Sequence, residues 1–270
     1  AAVGLPQRPT VTAGAGTLGF ISPVTRVKPL VEASGGTTGG QSSSTPVRVI
    51  APKPPSITAE SYLVGNLITG EIYASKNATL VTPIASISKL ITALATEKLT
   101  ESGVINASST IVITDDMLAQ IGYEWHLALV AEYTAAKLMY PLLLESSNDA
   151  AYALATSTGY GQFITTMNEL AHEIGMTSSS FDDPSGLSEK NISTANDLFS
   201  LARYLFVRKP DLLKFTRLPS GIVASTTKFD ERDFVNTNPF IADPHYLGGK
   251  TGRTDAARET MLSLFQYSVG

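Results

Sequence analysis

The stretch Pro83-Ile84-Ala85-Ser86-Ile87-Ser88-Lys89-Leu90-Ile91-Thr92-Ala93 sets a hydroxyl and an amine at the head of an apolar segment. Ile84, Ile87, Leu90, Ile91 and Leu94 recur at helical spacing, which predicts a helix from Ser86 to about Leu99 with one face in a core. Ser86 and Lys89 are three residues apart, so both side chains sit on one face of the first turn. That is the geometry of a nucleophile and its base. Serine needs a neighbour to take its proton, and Lys89 serves only if neutral. Desolvation and a second cation both drive a lysine that way, and Lys250 is the candidate cation. The positive end of the helix adds support for a Ser86 alkoxide. The alternative is an ordinary serine cap with a solvated lysine.

Two further strings bear on that choice. Leu144-Glu145-Ser146-Ser147-Asn148-Asp149 interrupts an apolar run between a helix expected from about Thr134 and another from about Asn148. Ser146 can relay a proton between Lys89, Lys250 and a leaving amine, and Asn148 can hold a substrate amide. The same residues also suit a helix-helix turn with Ser147 or Asn148 as cap. Downstream, Lys250-Thr251-Gly252-Arg253 reads as the end of a strand on a sheet edge. Gly252 lets a substrate backbone lie close, Lys250 and Thr251 offer a charge and a hydroxyl to a carboxylate, and the N–H groups of Ser86 and Arg253 suit an oxyanion hole. A phosphate-binding loop is excluded, because Pro244 stands where that motif needs glycine. Each string has a decoy: Ser225 and Lys228 repeat the first spacing, and Ser75 and Asn77 repeat the second. Only Ser86 has an amphipathic segment behind it.

Taken together, these strings resemble those of the D-alanyl-D-alanine carboxypeptidases, low-molecular-mass penicillin-binding proteins among the penicillin-recognising serine peptidases. Further stretches carry the likeness: Asn66 to Tyr73 resembles an opening hairpin, and Phe181-Asp182-Asp183-Pro184-Ser185-Gly186-Leu187 resembles a signature block. Ser193 to Leu198 and Asn236-Thr237-Asn238 fit as well. The resemblance implies an α/β fold of the β-lactamase and transpeptidase type: an antiparallel sheet packed by helices, with a mostly helical subdomain. The sheet is expected from a hairpin near residues 62–74 and strands near Tyr246 and Glu259, the helical region from Leu99 to Phe215, and a small hairpin near Ile222 and Phe229.

The implied reaction is acyl transfer from the terminal D-Ala-D-Ala of a peptidoglycan stem peptide through Ser86, with Lys89 and Ser146 catalytic. Asn148, Lys250, Thr251, Gly252 and Arg253 would bind substrate, β-lactams would inhibit, and neither metal nor organic cofactor is implied. The same residues serve a D,D-endopeptidase, and a wall-binding module without turnover is a third reading. A β-lactamase fits less well, since no suitable glutamate and asparagine pair follows Asn148. Arg253 and Arg258 depart from the resembled pattern. Gly270 falls before a mid-sheet strand and packing helix of the resembled domain, so a truncated domain is expected, with Glu259–Ser268 as the last strand.

The 270 residues, 43% of them hydrophobic, suffice for one sizeable core. Residues 1–56, with Gly35 to Pro46 and Pro52-Lys53-Pro54-Pro55, read as a flexible linker, and residues 57–270 as the peptidase domain. A net charge of −4 without a basic cluster argues against nucleic acid. The absence of cysteine excludes disulfides and thiolate metal sites. His126, His172 and His245 fit no metal spacing. Asp115 with Asp116, and Asp182 with Asp183, read as turn or cap pairs. Tyr123 and Trp125 around Gly122 read as packing. No run approaches roughly 18 apolar residues, and Ala1-Ala2-Val3 lacks the parts of an export signal. The implied substrate places the protein outside the cytoplasmic membrane, exported by a signal not present here, with any membrane or wall tether lying outside this chain.

Overall fold

The computed structural model describes residues 56–120, 127–227 and 231–267. The linker expected over residues 1–56 falls, but for Ser56, outside the described residues, as do the Gly122 loop with Tyr123 and Trp125, His126 and Lys228.

The chain opens with a hairpin of β1 (Tyr62–Gly65) and β2 (Ile72–Lys76), then a short β3 (Thr82–Pro83) and a 3₁₀ turn, Ala85–Ile87. Next come α1 (Ser88–Glu101), β4 (Thr110–Val112), α2 (Asp115–Leu118), β5 (Glu132–Thr134), α3 (Ala135–Leu143), α4 (Asn148–Thr156) and α5 (Tyr160–Ile174). After β6 (Ile192–Ser193) follow α6 (Ala195–Arg208), α7 (Pro210–Phe215), β7 (Ser220–Ala224), β8 (Glu231–Val235), β9 (Tyr246–Thr254) and β10 (Arg258–Phe265). The α/β composition, the hairpin at β1–β2 and the helices flanking Ser146 stand where the sequence placed them. The second strand of the small hairpin lies at β8, a few residues beyond Phe229, and pairs antiparallel with β7 from Ser220↔Val235 to Ala224↔Glu231.

Two expectations need correction. Ser86 does not open the helix: it sits on the 3₁₀ turn, and α1 begins at Ser88. The single sheet is absent among the described residues, where β1–β2 and β9–β10 form separate two-stranded ladders. α6 packs against both β1 and β10, so a shared helix relates the hairpins without a backbone ladder between them. Strand alternation identifies a strand; it does not name its neighbour.

The core is built around α1. One buried face was expected, yet Ser88 through Thr96 are all buried. The helix packs on α3, α4 and α5, and a helix enclosed on all sides must satisfy its polar residues locally. Ser88 Oγ donates to Ala85 O at 2.8 Å, Thr92 Oγ1 to Pro184 O at 2.5 Å, and Thr96 Oγ1 to Thr92 O at 2.9 Å. Ile87, Leu90, Ile91 and Leu94 are at most 2% exposed, each contributing about 1.5–3 kcal/mol by burial. Thr134 caps α3 by accepting from Lys137 N, and Ser147 caps α4 by accepting from Ala150 N at 3.1 Å.

The loop after α5 is folded around one carboxylate. Asp183 is 4% exposed and accepts from Ser185 N at 2.6 Å, Ser185 Oγ at 2.7 Å, Gly186 N at 2.7 Å and the N–H of Ser188. Asn191 adds to this arrangement, accepting from Asp182 N at 2.8 Å and donating to Asp183 O at 2.8 Å. Gly186, at φ +89°, lies so close to the Ala85 turn that a Cβ there would stand 2.0 Å from Ala85 O. Gly186→Ala is expected to lower unfolding free energy by at least about 2 kcal/mol, combining left-handed strain with backbone overlap. Gly161→Ala in α5, with open space around it, is expected to be neutral or stabilising by up to about 1 kcal/mol. Urea unfolding of both variants checks this, and a Gly186 variant as stable as the parent would contradict the packing.

Candidate active site

Four separate chain segments meet at the 3₁₀ turn. α1 carries Lys89, whose side chain is wholly buried and points back at Ser86: Lys89 Nζ stands 2.9 Å from Ser86 Oγ. The first turn of α4 brings Asn148, whose Oδ1 accepts from Lys89 Nζ at 2.8 Å. The Asp183 loop brings the Ser185 carbonyl, which accepts from the same nitrogen at 2.7 Å. β9 brings Gly252, where a Cβ would be 2.7 Å from Ser86 N and 3.1 Å from Ala85 Cβ. A side chain at that position would force the strand away from the nucleophile turn.

The turn itself is strained and braced. Ala85 has φ +48°, a left-handed conformation uncommon for a residue with a side chain. On one side Thr260 of β10 donates its hydroxyl to Ile84 O at 2.9 Å; on another, Ile84 N donates to Asn191 O at 3.0 Å. These contacts fix Ser86 against a rigid floor.

Lys89 has three partners, and two of them, a side-chain amide oxygen and a backbone carbonyl, can only accept. A neutral amine has two N–H groups and one lone pair. With both N–H groups given to Asn148 and Ser185, the lone pair is left facing the Ser86 hydroxyl. The surroundings favour that state: burial holds the Lys89 pKa well below the ordinary value of 10.5, and Lys250 pushes it further down, against an opposing pull from Asp183. Lys250 is 3% exposed, and burial lowers its own pKa to about 7; its Nζ donates to Thr251 O at 2.9 Å.

The sequence-derived residues thus divide into groups. Ser86, Lys89 and Asn148 are joined by hydrogen bonds, Gly252 touches the Ser86 turn, and Lys250 acts on Lys89 through its charge. Asn148 turns its oxygen to Lys89, a contact that the sequence reading did not assign to it. Ser146 lies in the turn before α4 at φ +65° with no hydrogen bond among the described residues. Thr251 is half-buried beside Lys250, and Arg253 is exposed on β9. Sequence reasoning missed Ser185 and Asp183 as parts of the site. The Asp-x-Ser-Gly pattern is a turn signature that could have marked a folded loop, yet it names no partner for its carbonyls. His172 and His245 join no metal-binding group among the described residues.

Two buried lysines make stability depend on pH. Between about pH 7 and 10.5 the unfolded chain holds a proton at residue 250 that the folded chain has lost. Unfolding free energy therefore rises with pH across that window, by up to about 1.4 kcal/mol per pH unit from this one group. Lys89, shifted in the same direction, adds to the slope. Lys250→Met is expected to flatten the pH dependence of urea-unfolding free energy above about pH 7; an unchanged slope would contradict the burial of an ionisable amine there.

Comparison with known proteins agrees with this geometry. A family model described as D-alanyl-D-alanine carboxypeptidase matches residues 48–265. The chain is 33% identical to the D-alanyl-D-alanine endopeptidase of Haemophilus influenzae over 191 residues, which cover 68% of this chain and 62%, less than two thirds, of that relative. It is 34% identical to the D-alanyl-D-alanine carboxypeptidase DacB2 of Mycobacterium tuberculosis over 217 residues, 77% of this chain and 70% of that one. Among solved structures, a D-alanyl-D-alanine carboxypeptidase from Mycobacterium tuberculosis superimposes with a TM-score of 0.72 at 28% identity, covering 81% of this chain and 82% of the other. Penicillin-binding protein D2 from Listeria monocytogenes, solved with cefotaxime bound, gives a TM-score of 0.68 at 25% identity over 80% and 87% of the two chains. With the motif strings assembled around Ser86 and a family match spanning most of its length, the chain belongs to the D-alanyl-D-alanine carboxypeptidase family.

Proposed function

We propose that the protein is a serine D-Ala-D-Ala carboxypeptidase that trims peptidoglycan stem peptides through an acyl-enzyme on Ser86. The observation that carries this reading is the buried Lys89 amine, whose nitrogen lies 2.9 Å from Ser86 Oγ, 2.8 Å from Asn148 Oδ1 and 2.7 Å from Ser185 O. Ser86 Oγ attacks the carbonyl carbon between the two D-alanines while its proton passes to the Lys89 lone pair. The Ser86 N–H, facing Gly252, and the Arg253 N–H receive the developing oxyanion. Ser146 relays the proton to the departing amine, the C–N bond breaks, and free D-alanine leaves a serine ester. Water then attacks the ester and returns the proton to Ser86. Lys250 and Thr251 anchor the substrate carboxylate, and a β-lactam meets the same groups with its strained amide and its own carboxylate. This substrate lies outside the cytoplasmic membrane, so the protein works there; no helix among the described residues is long and apolar enough to cross a membrane.

A second reading, D,D-endopeptidase, draws support from the name of the Haemophilus influenzae relative. Crosslink cleavage uses the same attack on a D-alanyl carbonyl, with a larger amine as leaving group.

Labelling with a fluorescent penicillin followed by denaturing electrophoresis tests the shared step. The parent protein is expected to carry a covalent label that Ser86→Ala lacks, and Lys89→Ala is expected to acylate at least about 100-fold more slowly. A label retained by the Ser86 variant would remove that residue from its role. Release of D-alanine from a pentapeptide in preference to cleavage of a crosslinked dimer supports the carboxypeptidase; the reverse preference assigns the endopeptidase.

A further inference from the structure

Glu145 precedes Ser146 and takes no part in the chemistry above. It is half-buried in the turn that follows α3, and its two oxygens have different fates. Oε1 accepts from Val235 N at 3.1 Å, at the last residue of β8, while Oε2 is buried with no partner among the described residues. A buried carboxylate oxygen without a donor opposes folding, so a residue kept at this cost needs a reason. Burial raises the Glu145 pKa, against the Val235 N–H and the charge of Arg232, with Asp233 adding to the rise.

The reason lies in what Val235 leads to. The next residues, Asn236-Thr237-Asn238, run back across the same turn: Thr237 donates from N to Leu144 O at 3.0 Å and from Oγ1 to the same oxygen at 3.3 Å. Asn236 Nδ2 holds Thr216 O at 2.9 Å and Leu218 O at 2.8 Å, and Thr216 Oγ1 in turn accepts from Gly249 N at 2.9 Å, one residue before Lys250. Leu144, Thr237, Gly249, Lys250 and Thr251 line one crevice. A continuous set of hydrogen bonds therefore runs from Glu145 to the lysine strand. On the other side of Ser146, Ser147 N donates to Pro141 O at 2.9 Å. Ser146 is strained, at φ +65°, between these two anchors.

We propose that Glu145 is a positioning residue for Ser146: its bond to the Val235 N–H, with the two Thr237 bonds to Leu144, clasps the strained turn against the segment entering the lysine strand. The inference rests on the acyl-enzyme reading and adds to it a residue that acts through Ser146 without touching substrate. A relay displaced by a fraction of an ångström slows acyl transfer while leaving noncovalent recognition by Lys250 and Thr251 in place.

The test is stopped-flow acylation by a chromogenic β-lactam, which separates the noncovalent dissociation constant from the acylation rate constant. Glu145→Ala is expected to slow acylation by about 10- to 100-fold with the dissociation constant within about twofold. Glu145→Gln keeps an oxygen that accepts from Val235 N–H and is expected to restore the rate to within about threefold of the parent. Thermal melting of both variants separates placement from loss of fold, since a purely structural role makes the rate follow the melting temperature, with no rescue specific to glutamine. Normal acylation by Glu145→Ala, or a glutamine variant as slow as alanine at the parent's melting temperature, overturns the proposal and leaves the active-site reading intact. A parent protein that fails to acylate at all brings down both.

Discussion

A neutral amine buried beside a serine is the condition on which the rest of the structure depends. Lys89 lies where charge is costly, and its two obligate acceptors, Asn148 Oδ1 and the Ser185 carbonyl, match in number the N–H groups of an uncharged amine. Each acceptor arrives from a different part of the chain, so the lone pair points at Ser86 only once α1, α4 and the Asp183 loop are in place. The base is therefore a product of tertiary folding, not of the Ser-x-x-Lys spacing alone.

That condition explains features which otherwise look like local oddities. Asp183 accepts four hydrogen bonds so that one carbonyl, that of Ser185, can turn toward Lys89. Gly186 and Gly252 let two backbones approach the Ala85-Ser86 turn more closely than any side chain permits. Lys250 is buried near enough to lower the pKa of Lys89, and burial lowers its own to about 7. The left-handed Ala85 turn and the two desolvated amines each oppose stability on their own. The enclosed apolar helix α1 and the hydrophobic core around it supply the compensation.

Much of this was legible in the sequence because the informative signals are local. Helical periodicity marked the segment behind Ser86 and turn chemistry marked Ser146-Ser147-Asn148, whereas Gly252 was read as room for a substrate backbone and its approach to the Ser86 turn was not foreseen. The unread parts are non-local. Spacing could not say that Asn148 would face Lys89, since an amide suits an amine and a peptide equally. Nor could it show that the carbonyl of Ser185, a group every residue carries, would become a ligand of the base. Ser86 sits ahead of the helix on a 3₁₀ turn that begins at the left-handed Ala85, a backbone conformation that apolar periodicity does not report.

The charge state of Lys89 is directly observable. Lysine labelled with ¹³C at Cε, followed by NMR over a pH series and assigned with a Lys89 variant, reports each amine separately. The Lys89 signal is expected to titrate well below the ordinary lysine value of 10.5, held down by burial and by the charge of Lys250. A Lys89 signal that remains in the ammonium form until the ordinary lysine range would contradict a neutral base at Ser86.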